Sequence, residues 1–250
     1  ESDVNGEMWT DGMPLEIGAF GRGDYRAPTV IAVGNDGASA SRFRYVSHRI
    51  FKGVPDVRGL PHARSGGETL SVTLQDGFSS LCVVLNYTVW DDLNVIARNA
   101  EYKNTGTTPI FLKRTFSFCT DLPERQYKLL RLYGSWAKER VPEVTVLGRG
   151  ITRAQSLRGI SSHQLNPFVA LLCENCGESC AEGNGECYGA QLIYSGSFAL
   201  EAEKTPGGNV RLQGGINDLN FSEELAAGET FYTPQVALAY SDCGLGELSR

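Results

Sequence analysis

ETLSVTLQDGFSSLCVVLNYTV, residues 68–89, is the stretch that decides the fold. Its first half alternates strictly, with Leu70, Val72 and Leu74 on one side and Thr69, Ser71 and Thr73 on the other. A two-residue period is the pattern of a half-buried β-strand, because successive side chains leave a pleated backbone on opposite faces. Asp76-Gly77 then supplies hairpin-type turn chemistry, and Leu81–Val89 follows as a more continuously apolar, more buried strand. The same grammar repeats outward in both directions. Strands are expected at Thr29–Val33, Arg42–Ile50, Val95–Asn104, Ile110–Phe118, Gln191–Phe198, Val210–Gly215 and Pro234–Tyr240. Between Val95–Asn104 and Ile110–Phe118 lies the turn Thr105-Gly106-Thr107-Thr108-Pro109. Only Asp121–Leu132 and Leu245–Arg250 read as helical candidates. Ten or more short strands in close succession predict an all-β chain: two packed antiparallel sheets, with little helix.

Composition narrows the class. Hydrophobic residues make up 41% of the 250, enough for a substantial core, and no internal repeat or linker divides the chain. A single domain over residues 1–250 is the expectation. The net charge of −6, with no basic stripe, argues against nucleic acid as a partner. No apolar run approaches the roughly 20 residues of a membrane-spanning helix. No signal-peptide-like region opens the chain, which favours the cytoplasm, although a cleaved signal would leave no trace. The first residue is Glu, so a fragment or processed form is expected.

Two segments escape the plain strand reading. Arg158-Gly159-Ile160-Ser161-Ser162-His163-Gln164-Leu165-Asn166-Pro167-Phe168 packs many hydrogen-bonding groups into a short space. Pro167 pushes Asn166 toward extended backbone, and such a run reads chiefly as a loop whose side chains satisfy neighbouring main chain. The other segment holds Cys173, Cys176, Cys180 and Cys187. Their C-x2-C-x3-C-x6-C spacing is compatible with a tetrahedral structural zinc, with two disulfides, or with free thiols. Cys82, Cys119 and Cys243 stand singly in apolar surroundings and read as small buried hydrophobes.

An ordered series of motifs carries a family resemblance. Gly21-Arg22-Gly23-Asp24-Tyr25-Arg26 comes first, then His48-Arg49-Ile50-Phe51, Gly59-Leu60-Pro61 and Leu132-Tyr133-Gly134-Ser135-Trp136. The polar run at 158–168 follows, and then Tyr194-Ser195-Gly196-Ser197-Phe198 and Gly228-Glu229-Thr230-Phe231-Tyr232-Thr233-Pro234. With these motifs the chain resembles the N-terminal β-supersandwich domain of glycoside hydrolase family 36 α-galactosidases. The resemblance implies an accessory domain that precedes a catalytic (β/α)8 barrel, expected beyond Arg250 and absent from this sequence. It also implies galactoside substrates such as melibiose and raffinose, a homo-oligomer (a tetramer), and catalysis without a metal cofactor.

Residue roles follow from that expectation. No catalytic residue is assigned here, because the acidic residues sit mostly at turns and no pair stands out. Retaining hydrolysis needs two carboxyl groups about 5 Å apart across the scissile bond. Asp24 and Arg26, in a Gly-rich loop between Phe20 and Pro28, are the candidates for substrate contact, since both can bind vicinal hydroxyls bidentately. The bland alternative is an ion pair that fixes the loop. Trp136 is read as a core aromatic rather than a sugar platform. The competing function is a self-contained sugar-binding or mutarotase-like sandwich, which would need a histidine acid and a carboxylate base.

Overall fold

A computed structural model describes residues 13–249 except 22, 176 and 177. Trp9, Arg22, Cys176 and Arg250 therefore lie outside the described residues. In chain order the strands begin with β1 (Val30–Val33), β2 (Phe43–Lys52), β3 (Glu68–Asp76), β4 (Leu81–Trp90), β5 (Leu93–Asn104) and β6 (Ile110–Leu122). They continue as β7 (Gln126–Ser135), β8 (Lys138–Val146), β9 (Gly150–Gln155), β10 (Leu165–Asn175), β11 (Glu178–Ser179) and β12 (Cys187–Leu192). The last are β13 (Phe198–Lys204), β14 (Val210–Ile216), β15 (Glu223–Leu225), β16 (Thr230–Tyr232) and β17 (Val236–Ser241), followed by the helical turn α1 (Leu245–Leu248).

These strands form the expected antiparallel sandwich. The longer sheet runs β2-β3-β4-β5-β17-β12-β10-β7-β8, with β11 and β16 attached to β10 and β5. The shorter runs β1-β6-β14-β13-β9, with β15 on β6. The deciding stretch forms β3 and β4, paired from Glu68↔Val89 to Gln75↔Cys82. Asp76 holds the turn between them: its carboxylate accepts from the Phe78 amide at 3.2 Å and the Ser79 hydroxyl at 2.5 Å.

Two apolar clusters fill the sandwich. One packs Phe118, Tyr127, Leu129, Leu171, Phe198, Leu200 and Leu212 between the sheets. The other gathers Val30, Leu81, Val83, Leu85, Tyr102 and Leu112. A third cluster lies on the outer side of the longer sheet, where Leu130, Ala170, Leu172, Cys180 and Cys187 pack under Leu245 and Leu248 of α1.

Three expectations need correction. Asp121–Leu132 is no helix; it is the end of β6, a turn at Pro123, and most of β7. In β7 both faces are apolar, Tyr127 and Leu129 toward the inner core and Leu130 and Leu132 toward the outer cluster, so the run shows no clean two-residue period. Gln191–Phe198 is likewise not one strand, since β12 ends at Leu192 and β13 starts at Phe198. Cys243 is exposed beside Asp242, and only Cys119 of the three single cysteines is fully buried.

Candidate functional site

The outer face of the shorter sheet carries a buried layer of charge. In β13 and β14, Phe198, Leu200, Ala202, Val210 and Leu212 face the core. Alternation therefore sends Glu201, Glu203, Arg211 and Gln213 to the opposite side. That side is covered by the segment from Met13 to Thr29, which brings Asp24 and Arg26 onto it. Arg26 grips the Asp24 carboxylate through Nε at 2.8 Å and Nη2 at 3.2 Å, and its own amide donates to Oδ1 at 3.1 Å. Its Nη1 donates to Asp121 at 2.9 Å. Arg211 closes the ring, donating to Asp24 at 3.0 Å and to Asp121 at 2.8 and 2.9 Å. The Leu15 amide also donates to Asp121, and Arg26 to the Met13 carbonyl, so the network fastens the covering segment down.

Among the described residues, two carboxylates balance two guanidinia in this cluster, as burial of charge requires. Their side chains are at most 5% exposed. Burial works to raise the Asp24 carboxyl, but hydrogen bonding from Arg26 and the Arg211 charge outweigh it and hold Asp24 below the usual carboxylate range. For Arg211, burial works to neutralise the guanidinium, and Asp121 and Asp24 keep it charged.

Asp24 and Arg26, the candidates for substrate contact, are thus tied to each other and to Asp121 and Arg211. Both carboxylate oxygens of Asp24 already accept from guanidinia beneath the loop surface, so the pair fixes the loop. Phe20, just before the motif, and Tyr25 within it are exposed and flank a groove of about 580 Å³ that also touches Ile151 and Glu203. Glu203 is half-buried there, its carboxyl raised by burial although it accepts from the Ala27 amide at 2.6 Å. A second network continues along the same face, where Glu201 and Asp218 are shared by Arg114 and Arg153.

The polar run at 158–168 behaves as a self-satisfying loop. Ser156 donates to the Ile160 carbonyl at 2.7 Å, and Ser161 donates to the Tyr194 carbonyl at 3.1 Å. Ser162 Oγ accepts from the Gln164 amide, and Arg158 pairs with Gln164 at 2.8 Å. The loop nevertheless walls a groove of about 850 Å³ on the outer face of the longer sheet, between the β7–β8 hairpin and α1. Trp136 sits at the tip of that hairpin and is 88% exposed, against the reading of it as core, whereas Trp90 is buried. Residue 137, with φ of +62°, turns the hairpin so that the Trp136 ring stands outside.

The cysteine segment does not fit one tetrahedral metal site among the described residues. Cys173 packs in the inner core with Tyr127, whereas Cys180 and Cys187 belong to the outer cluster on the other face of the same sheet. Thiolates on opposite faces of a sheet cannot converge on one ion at about 2.3 Å. Cys173, Cys180 and Cys187 are free thiols. The mutarotase-like alternative finds no support either, because no ion pair joins His48, His62 or His163, all exposed, to a carboxylate among the described residues. His48 instead meets the Tyr45 hydroxyl at 2.6 Å.

Residues 2–226 match the glycosyl hydrolase family 36 N-terminal domain. The chain belongs to this family. It is 38% identical over 244 residues to the α-galactosidase AgaA of Geobacillus stearothermophilus, covering 96% of this chain and 33% of AgaA. It is 37% identical to the bifunctional α-galactosidase/sucrose kinase AgaSK of Mediterraneibacter gnavus, covering 96% of this chain and 26% of that protein. A crystal structure of an AgaA variant in complex with 1-deoxygalactonojirimycin superposes with a TM-score of 0.93 at 38% identity, covering all of this chain and 35% of that one. Another AgaA variant, solved in complex with raffinose, matches with a TM-score of 0.90 at 39% identity, over 94% of this chain and 33% of that chain. The family 36 domain thus spans about a quarter to a third of the length of these relatives.

Proposed function

We propose that this family 36 domain is the N-terminal accessory part of an α-galactosidase that acts on galactosides such as melibiose and raffinose. The match of residues 2–226 to the family's N-terminal domain, with α-galactosidases as relatives across nearly the whole chain, carries this reading. The side chains described above agree with an accessory role. Retaining hydrolysis uses two accessible carboxyl groups about 5 Å apart. Among the described residues, Asp24 with Asp121 and Glu201 with Asp218 are each bridged by arginines, whereas the exposed Asp242 and Glu247 lie with carboxylate oxygens within 4.8 Å of each other beside Cys243. In this role the domain packs on a catalytic barrel, supports a homo-oligomer, and presents loops such as 20–28 to a neighbouring active site, with Tyr25 rather than Asp24 at the surface.

The test compares residues 1–250 alone with the full-length gene product on a nitrophenyl α-galactoside. Turnover by the full-length protein and none by the 250 residues is expected. Hydrolysis by the 250 residues above a matched blank would overturn the accessory assignment, and an inactive full-length protein would overturn the activity.

A further inference from the structure

The loop from Cys180 to Cys187 is a clasp on the α1 turn. It folds back through the Ala181 amide, which donates to the Asn184 carbonyl at 2.9 Å. Three of its carbonyls then hold the α1 turn: Gly185 accepts from Gly244 at 2.9 Å, Ala181 from Leu245 at 3.0 Å, and Glu182 from Gly246 at 2.8 Å. The backbones touch closely enough that a Cβ on Gly185 would lie 2.6 Å from the Cys180 Cα, and one on Gly244 would lie 2.4 Å from the Ala181 oxygen. The two ends of the clasp meet. Cys180 and Cys187 share the outer cluster with Leu130, Ala170 and Leu172, and the Cys180 Cα lies 2.6 Å from where a Cβ on Gly185 would stand, two residues before Cys187.

We propose that Cys180 and Cys187 form an intramolecular disulfide by exchange with a low-molecular-weight disulfide such as oxidised glutathione, closing the clasp covalently around α1. In the first step the Cys180 thiolate attacks one sulfur of oxidised glutathione; that S–S bond breaks and one glutathione thiolate leaves. The Cys187 thiolate then attacks the Cys180 sulfur of the mixed disulfide and expels the second glutathione. Both protein protons end on glutathione, so two protein thiols are oxidised as one glutathione disulfide is reduced to two thiols. Cys173 does not compete for Cys187, because it lies on the opposite face. Burial pushes the Cys187 thiol up to about 12, and Cys180 is raised for the same reason. Thiolate is scarce at neutral pH, so exchange is slow there and quickens as the pH rises.

The sequence offers a clean readout. A Glu-specific protease cutting after Glu174, Glu178, Glu182 and Glu186 puts Cys173, Cys176, Cys180 and Cys187 on four separate peptides. After incubation of the protein with oxidised glutathione at mildly alkaline pH, acid quench and digestion, the 179–182 peptide should be joined to the peptide beginning at Cys187. The joined pair should weigh two hydrogen atoms less than the two separate peptides, and reductant should release them. Hydrogen exchange at the Gly244, Leu245 and Gly246 amides should slow on oxidation, and Cys180→Ser should abolish that slowing. Cys180 and Cys187 still free after the exposed Cys243 has taken glutathione would overturn the proposal. Pairing of either with Cys176 would overturn it equally, and a Cys180–Cys187 disulfide without slower exchange would refute the clasp.

Discussion

Asp24→Ala should unfold the domain more readily than almost any other surface-loop substitution. In the wild type the Asp24 carboxylate accepts from Arg26 Nε, Nη2 and backbone amide and from Arg211 Nη2. Deleting it removes one of the two carboxylates that Arg26 and Arg211 share where side chains are at most 5% exposed. Breaking a buried ion pair by removing one partner costs about 3–5 kcal/mol. With a urea slope near the upper end for domains, about 3 kcal/mol per M, the midpoint should fall by about 1–1.7 M at unchanged slope. The same network sets the pH dependence. Because the Asp24 carboxyl is held below its unfolded value near 3.9, its stabilisation is complete above that pH and is lost as the pH falls through the lower folded value. Urea denaturation at neutral pH and in the acid range reads both effects, and the gap between wild type and variant should narrow below about pH 4. A variant with an unshifted midpoint but impaired galactoside turnover in the full-length protein would refute the structural role and return Asp24 to sugar contact.

Other side chains sort by burial in the same assay. Trp136→Ala should change stability by no more than about 0.5 kcal/mol, since the ring stands in solvent; a large loss would mean that the hairpin tip packs somewhere. Leu200→Ala, at a fully buried position between the sheets, should cost about 2–5 kcal/mol in urea denaturation. Tyr102→Phe removes a buried hydroxyl that donates to the Phe116 carbonyl at 3.2 Å, and a loss of about 1 kcal/mol is expected.

Much of the sandwich was legible in the sequence because its strands obey a two-residue period where one face is buried. ETLSVTLQ became β3 almost to the residue, and the Asp76-Gly77 turn is where it was expected, but Thr69 and Ser71 are the buried side chains there and Leu70 is exposed. Legibility failed where both faces of a strand are covered. β7 lost its period because α1 lies over its outer face. The charge layer was missed for a related reason. Glu201, Glu203, Arg211 and Gln213 alternate with apolar residues as a solvated face does, yet the Met13–Thr29 segment covers them. Asp24 and Arg26 were visible as neighbours two apart, but Asp121 and Arg211 join them across 95 and 187 residues. The available signal was the pairing of two acidic positions in β13 with Arg211 directly opposite Glu203 in β14. Trp136 was misplaced because apolar mass alone argued for the core, whereas the hairpin's left-handed turn residue decides where the ring stands.

Among the described residues the longer sheet ends in two strands without an outer partner, β2 and β8, and an open edge is an invitation to pair with any other extended chain. Both edges are built to decline it. β8 carries Lys138, Glu139, Arg140 and Glu143 along its length, and Pro142 in its middle has no amide to donate. β2 carries Arg44, His48, Arg49 and Lys52, and its register slips between Tyr45 and Ser47, which kinks the line of amides another strand would need. A sandwich with so many strands and such long rims would otherwise template fibrous growth as its concentration rises. Charge, proline and the slipped register keep its sheets finite.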